Sequence, residues 1–330
     1  MTDSTIKIAV LDDYQNIALN MADWSSIPGN PEIQVFNDHI SELEPLVQRL
    51  FPFEVVCIMR ERTPMTAALL DRLPNLRLIA STGPRNAAID LEAAKRRGIE
   101  VRHTGYRATP TVEFTWALLL ALARNVLTEN ASLRNGGWQT TVGADLYDKT
   151  LGVLGLGKIG SRVAEIGKSF GMKAIAWSQN LTQQKAEASG VRLVSKDQLF
   201  READFLTIHL VLSERSRGIV GKPELALMQP TAFLINTARG PIVDEAALIE
   251  TLRNQKIAGA AIDVFDHEPL PAEHPREGPG SGRSELPSHR GLDRPHRWGA
   301  SMASRCSTVS RVSQISQQWV QSRAFRVLPQ

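Results

Sequence analysis

Hydrophobic positions in the first hundred residues fall into two rhythms. Ile6–Leu11, Ile33–Phe36, Val55–Met59, Leu76–Ala80 and Glu100–Val101 are short, mostly apolar runs, and they predict strands. Between them, Leu43–Leu50, Met65–Leu73 and Leu91–Arg97 repeat apolar residues at helical spacing. Asp71-Arg-Leu-Pro-Asn75 stops the second of these helices and turns the chain. A long helix is predicted over Thr111–Asn125, with Pro110 at or near its first turn. The alternation then resumes. Strands are predicted at Thr150–Leu154, Lys173–Trp177, Phe205–Leu210, Ala232–Asn236 and Ile257–Val264, and helices at Lys158–Phe170, Pro223–Met228 and Asp244–Asn254. Strand–helix alternation of this kind predicts an α/β protein with two tandem units built on parallel sheets, the boundary lying near the Thr111 helix.

The pattern breaks at Pro275. From Arg276 to about Cys306 the chain is rich in Arg, Gly, Ser and Pro and has neither period. A weak helical pattern returns from Thr308 through Val312, Ile315, Trp319 and Val320.

Composition changes this picture little. A length of 330 residues suits two domains, and a formal charge of +3 is too small to argue for a nucleic-acid partner. Much of the excess base lies late in the chain, at Arg276, Arg283, Arg290, Arg294, Arg297, Arg305, Arg311, Arg323 and Arg326. Cys57 sits in an apolar run and reads as an inert buried thiol, and with Cys306 it makes no metal or disulfide spacing. No metal site is expected, since His103, His267 and His274 pair with nothing of ligand spacing. Met1–Lys7 lacks a signal pattern, and the apolar run Trp116–Ala123 falls far short of the roughly 20 residues that cross a bilayer. A cytoplasmic protein without a membrane or nucleic-acid partner is expected.

One motif carries chemistry by itself. Gly155-Leu-Gly157-Lys158-Ile159-Gly160 follows a strand and opens a helix, the setting in which G-x-G-x-x-G binds a dinucleotide. The first glycine allows the tight turn, the second lets a pyrophosphate approach the backbone, and the third lets helix and strand pack closely. The ribose-reading position, about 20 residues further on, falls at Ser178. Neither the acid that favours NAD nor the arginine that favours NADP stands there, although Lys185 is near in sequence. NAD is the expected cofactor, with NADP left open.

With that fingerprint, three further segments resemble the D-isomer-specific 2-hydroxyacid dehydrogenase family, which includes phosphoglycerate, glyoxylate and hydroxypyruvate dehydrogenases. They are Ala203-Asp-Phe-Leu-Thr-Ile-His-Leu210, Leu234-Ile-Asn-Thr-Ala-Arg-Gly240 and Ala261-Ile-Asp-Val-Phe-Asp-His-Glu-Pro-Leu270, within a match covering roughly Ile6 to Pro275. The resemblance implies a flavodoxin-like substrate domain (1–106 plus 300–330) and a Rossmann domain (107–299), with the active site in a cleft between them. It implies a homodimer made through the region of Thr111–Asn125. It implies that Arg239 grips the substrate's carboxylate and carbonyl, that Glu268 partners a catalytic histidine, and that Asp263 meets the nicotinamide carboxamide. His209, Thr237 and Ala238 would line the cofactor, and Arg60 with Ser81, Thr82 and Gly83 would hold the substrate. The last loop departs from the family, because Gly83 is followed by Pro84-Arg85-Asn86. The implied reaction interconverts a small 2-oxo acid and a D-2-hydroxy acid. A planar guanidinium suits a carboxylate, and a carboxylate beside an imidazole orients it and raises its pKa.

The family's histidine follows an apolar strand and precedes Ile-Gly. The corresponding stretch here, Leu286 to Gly299, has no such strand, and His296 stands nearest the expected position. Read one base later, suitable codons for Pro287 to Gly299 spell Pro-His-Ile-Val-Ala-Leu-Thr-Ala-His-Ile-Gly-Gly, a strand followed by the missing motif. Arg276 to Cys306 is therefore read as out of frame, which also accounts for its basic composition without an acidic partner. Two rivals accompany the dehydrogenase reading: a dinucleotide-binding protein with impaired catalysis, and a nucleic-acid binder using the basic stretch.

Overall fold

The computed structural model describes residues 5–83, 85–270 and 274. His296, the stretch Arg276 to Cys306 read as out of frame, and the helical pattern from Thr308 lie outside the described residues. Those described fall into two compact units, divided between Arg107 and Ala108.

The first unit runs β1 (Lys7–Val10), β2 (Glu32–Val35), α1 (Leu43–Leu50), β3 (Val55–Ile58), α2 (Ala67–Leu70), β4 (Leu78–Ser81), α3 (Leu91–Arg96) and β5 (Glu100–His103). Its five strands are parallel in the order β2-β1-β3-β4-β5, the flavodoxin-like arrangement. β3 and β4 are buried along their whole length, as continuous apolar runs in a covered parallel sheet should be. α1 buries Leu46, Val47 and Leu50 against one face, beside Leu69, Leu70 and Ile79. Cys57, in central strand β3, is fully buried, and burial pushes its thiol far above the ordinary range.

The second unit begins with α4 (Thr109–Ala123) and α5 (Val126–Arg134), then β6 (Thr150–Leu154), α6 (Lys158–Ser169), β7 (Lys173–Trp177), α7 (Gln183–Ala188), β8 (Arg192–Leu193), α8 (Lys196–Glu202), β9 (Phe205–Ile208), α9 (Lys222–Leu227), β10 (Phe233–Asn236), α10 (Glu245–Arg253) and β11 (Gly259–Ile262). Its parallel sheet has the order β11-β10-β9-β6-β7-β8, the doubly wound dinucleotide-binding topology. α4 packs its apolar length onto α6, β10 and β11, and Trp116 stacks on Phe170 with ring centroids 5.0 Å apart. The expected helix ends shift by about two residues, which is within the fraying of helix termini.

Among the described residues, three α-helices and one strand were not expected. α7, β8 and α8 are short, but α8 carries a readable signal, a capping box between Ser195 and Gln198. α5 buries none of its residues, so no core-facing stripe marks it in the sequence.

Candidate active site

Strand order decides which loops can meet. Gly155 follows β6, Ser178 follows β7, His209 follows β9, Thr237 and Arg239 follow β10, and Asp263 and Glu268 follow β11. All stand at the carboxyl edge of one sheet, where open α/β sheets bind ligands.

The glycine turn fits a dinucleotide. Gly155 has φ +106°, and a Cβ there would press on the His209 carbonyl. A Cβ on Gly160 would lie 2.1 Å from the Gly155 oxygen, so helix and turn can close only without one. A Cβ on Gly157 would meet nothing within 4 Å, so the space above the second glycine is open. α6 starts there, presenting its first N–H groups with exposed Lys158 and half-buried Ile159. Ser178 braces the turn, its hydroxyl accepting from the Leu156 amide at 2.9 Å.

The Arg239 and Glu268 loops pack together. A Cβ on Gly240 would lie 2.1 Å from the Phe265 carbonyl carbon and 2.6 Å from the Asp266 nitrogen, so the backbone after Arg239 rests directly on the loop before Glu268. Asn236 shapes the first loop, donating to the Arg239 carbonyl and accepting from the Ala238 amide, each at 3.0 Å. Arg239 Nη1 donates to the Ala238 carbonyl at 2.6 Å. Glu268 Oε1 accepts from the Phe265 amide at 3.1 Å, which closes the second loop on itself. Asp263 is buried just after β11, its amide donating to the Asn236 carbonyl. Thr237 uses its hydroxyl elsewhere: it is buried and bonded to Thr115 of α4 at 2.8 Å. Asn236 and Gly240 did not stand out in the sequence. An Asn closing a strand before a turn is the signal that could have found the first, since its side chain can mimic a backbone turn.

His209 lies against the glycine turn. Part of the residue is exposed, but both ring nitrogens are buried without a hydrogen-bond partner, and the nitrogens are what must carry charge. Desolvation lowers this imidazole to about 3, so it is neutral at physiological pH and cannot donate a proton. The unfolded chain binds a proton at this site near pH 6.5, whereas the folded one does so only near pH 3. The associated stability is complete above about pH 6.5 and falls by up to about 1.4 kcal/mol per pH unit as acid carries the protein through that window. A His209→Phe protein should therefore lose less melting temperature between neutral pH and pH ~4.5 than the unaltered chain. Identical losses would exclude this origin.

In the first unit, Arg60, Ser81, Thr82 and Gly83 gather at the carboxyl ends of β3 and β4. Arg60 is left-handed, φ +53°, and its amide donates to the Thr82 hydroxyl at 2.9 Å. The guanidinium lies across Gly83, where a Cβ would sit 2.4 Å from Nη1. Ser81 and Thr82 are fully buried, and Ser81 accepts from Asn86, so their hydroxyls brace loops. Among the described residues no group of three or more potential metal-ligating side chains occurs, and no helix is long and apolar enough to cross a membrane.

Comparison with known proteins defines the class. The family model described as D-isomer specific 2-hydroxyacid dehydrogenase, NAD binding domain, matches residues 116–277. The chain is 45% identical to a glyoxylate reductase of Aeropyrum pernix over 63% of its own length and 65% of that protein's. It is 35% identical to a hydroxypyruvate reductase of Thermotoga maritima, over 72% of this chain and 77% of that one. Among solved structures, a phosphoglycerate oxidoreductase from Vibrio cholerae matches with a TM-score of 0.84 and 34% identity, over 98% of this chain and 97% of that one. The chain belongs to the D-isomer-specific 2-hydroxyacid dehydrogenase family. It spans 65% of the Aeropyrum protein and 45% of a D-3-phosphoglycerate dehydrogenase of Methanocaldococcus jannaschii.

Proposed function

We propose that this protein is an NAD(P)-dependent oxidoreductase interconverting a short 2-oxo acid and a D-2-hydroxy acid. The observation that carries the reading is the Gly240 contact, which joins the Arg239 and Glu268 loops on the sheet edge that also bears the glycine turn. The turn at Gly155–Gly160 would hold a dinucleotide pyrophosphate, with Asp263 toward the nicotinamide and the backbone at Thr237 and Ala238 along the cofactor. The bound cofactor supplies the hydride. Arg239 would hold the substrate's carboxylate and polarise its carbonyl, and the family resemblance gives Arg60 and the backbone at 81–83 the carboxylate as well. Glu268 would orient a proton-donating histidine, the role for which His296, outside the described residues, stands nearest in the sequence. The relatives named glyoxylate reductase and hydroxypyruvate reductase support short, unbranched substrates.

Ser178 places no carboxylate at the ribose position, so NAD and NADP should both bind. The test is oxidation of NADH and of NADPH with glyoxylate, hydroxypyruvate, pyruvate and phosphohydroxypyruvate. Turnover of short 2-oxo acids is expected, and Ser178→Asp should shift the preference toward NADH about tenfold or more by repelling a 2′-phosphate. Binding of reduced cofactor with no turnover of any acid would replace this reading with that of a dinucleotide-binding protein.

A homodimer is supported by the second unit's surface. α4 spends its apolar side chains inside its own unit, but the stretch after it exposes Leu133, Trp138, Val142 and Tyr147. An apolar surface of this kind suits a second copy of the chain. A monomer in sedimentation equilibrium would remove this part of the proposal.

A further inference from the structure

Asp12 follows β1 and is 1% exposed. Its backbone is left-handed, φ +60°, a conformation that non-glycine residues keep only where surrounding bonds impose it. Three donors converge on its carboxylate: Thr63 Oγ1 at 2.7 Å, His39 Nδ1 at 2.9 Å and the Tyr14 hydroxyl at 3.3 Å. Its carbonyl accepts from Arg62 Nη1 at 3.2 Å, and the Arg62 guanidinium lies 4.8 Å over the Tyr14 ring. One residue thus ties the loop after β1 to the loop after β2, through His39, and to the turn after β3, through Arg62 and Thr63.

That turn carries Arg60. It is closed by the Arg62 amide donating to the Met59 carbonyl, and Arg60 is its left-handed residue. From the β4 side, Thr82 and Asn86 hold the Arg60 amide and carbonyl. From the β1 side, Asp12 holds the two residues that complete the turn. β1 and β3 are neighbours between which the strand order reverses, the place where such sheets bind ligands. Asp12 therefore commits a buried carboxyl group to the geometry of one turn, at the position where a misplaced guanidinium would be felt most.

We infer that Asp12 is a positioning residue: with Thr63 and His39 it fixes the turn that aims Arg60 at the substrate carboxylate. This rests on the proposed function, in which Arg60 contacts the substrate. The test is calorimetric titration of oxamate, a small carboxylate analogue of a 2-oxo acid, into the full-length protein saturated with NADH. Asp12→Ala should weaken oxamate at least tenfold while NADH affinity stays within twofold. Thr63→Val should weaken oxamate severalfold, and Asp12→Asn, which keeps shape and acceptor, should recover most of the loss. Unchanged oxamate affinity in Asp12→Ala, or a matching loss of NADH affinity, overturns the inference. If Asp12→Ala does not fold, Thr63→Val decides, and unchanged affinity there overturns it. Unaltered protein that binds NADH but not oxamate overturns both the inference and the substrate assignment beneath it.

Discussion

Arg239→Ala is expected to lower kcat/KM for 2-oxo acids by roughly 10²–10³-fold, the usual effect of removing one charge-stabilising donor from a preorganised site. Arg239 follows β10, its Nη1 is anchored on the Ala238 carbonyl, and Asn236 holds its own carbonyl, so the guanidinium is fixed before substrate arrives. Lysine should not rescue it, because a point charge cannot form two parallel bonds to a carboxylate. NADH affinity should be unchanged, since the glycine turn follows a different strand, β6. Steady-state kinetics with separate cofactor titration checks both halves. A loss confined to NADH binding, or none at all, would remove Arg239 from substrate recognition.

The second large effect is structural in origin and chemical in outcome. Gly240→Val should destabilise the protein by about 3 kcal/mol or more, at the upper end of overpacking costs. The added carbon would overlap backbone atoms of Phe265 and Asp266, which cannot swing aside as a side chain could. Relief requires the Arg239 loop to lift away from the Glu268 loop. A melting temperature lower by roughly 6–12 °C is expected for a unit of this size. Protein that still folds should bind NADH yet turn over 2-oxo acids poorly. A melting temperature and kcat/KM both near those of the unaltered chain would show that the two loops are not held by this contact.

Much of the fold was legible because parallel strands covered on both faces need unbroken apolar runs. Val55–Met59 and Thr150–Leu154 announce themselves that way, and β3 and β6 form there. α5 was not legible, because a helix with no buried residue leaves no stripe to read. β8, two residues long, is held by pairing with β7 and not by its own pattern. In the site, the glycine turn was readable because dinucleotide binding demands glycines at fixed spacing, whereas Arg239 entered through the family resemblance. Gly240 and Asp12 were not readable, since each matters through a partner distant in sequence or through a backbone angle; Asn236 shapes its loop through near neighbours, and only its place between strand and turn marks it. Thr237 shows the converse: a residue within the motif whose hydroxyl turns inward to Thr115. His296 lies outside the described residues, and its reading rests on the reading frame of Arg276 to Cys306.

The buried thiol of β3 has a practical use. Cys57 lies between strands paired to it on either side, so an alkylating reagent can reach it only when that sheet comes apart. In a Cys306→Ser background, the labelling rate would time the opening of the first unit alone, because residues 108–270 contain no cysteine. Adding NADH, proposed to bind the second unit, would then reveal whether occupying one half of the molecule slows the breathing of the other.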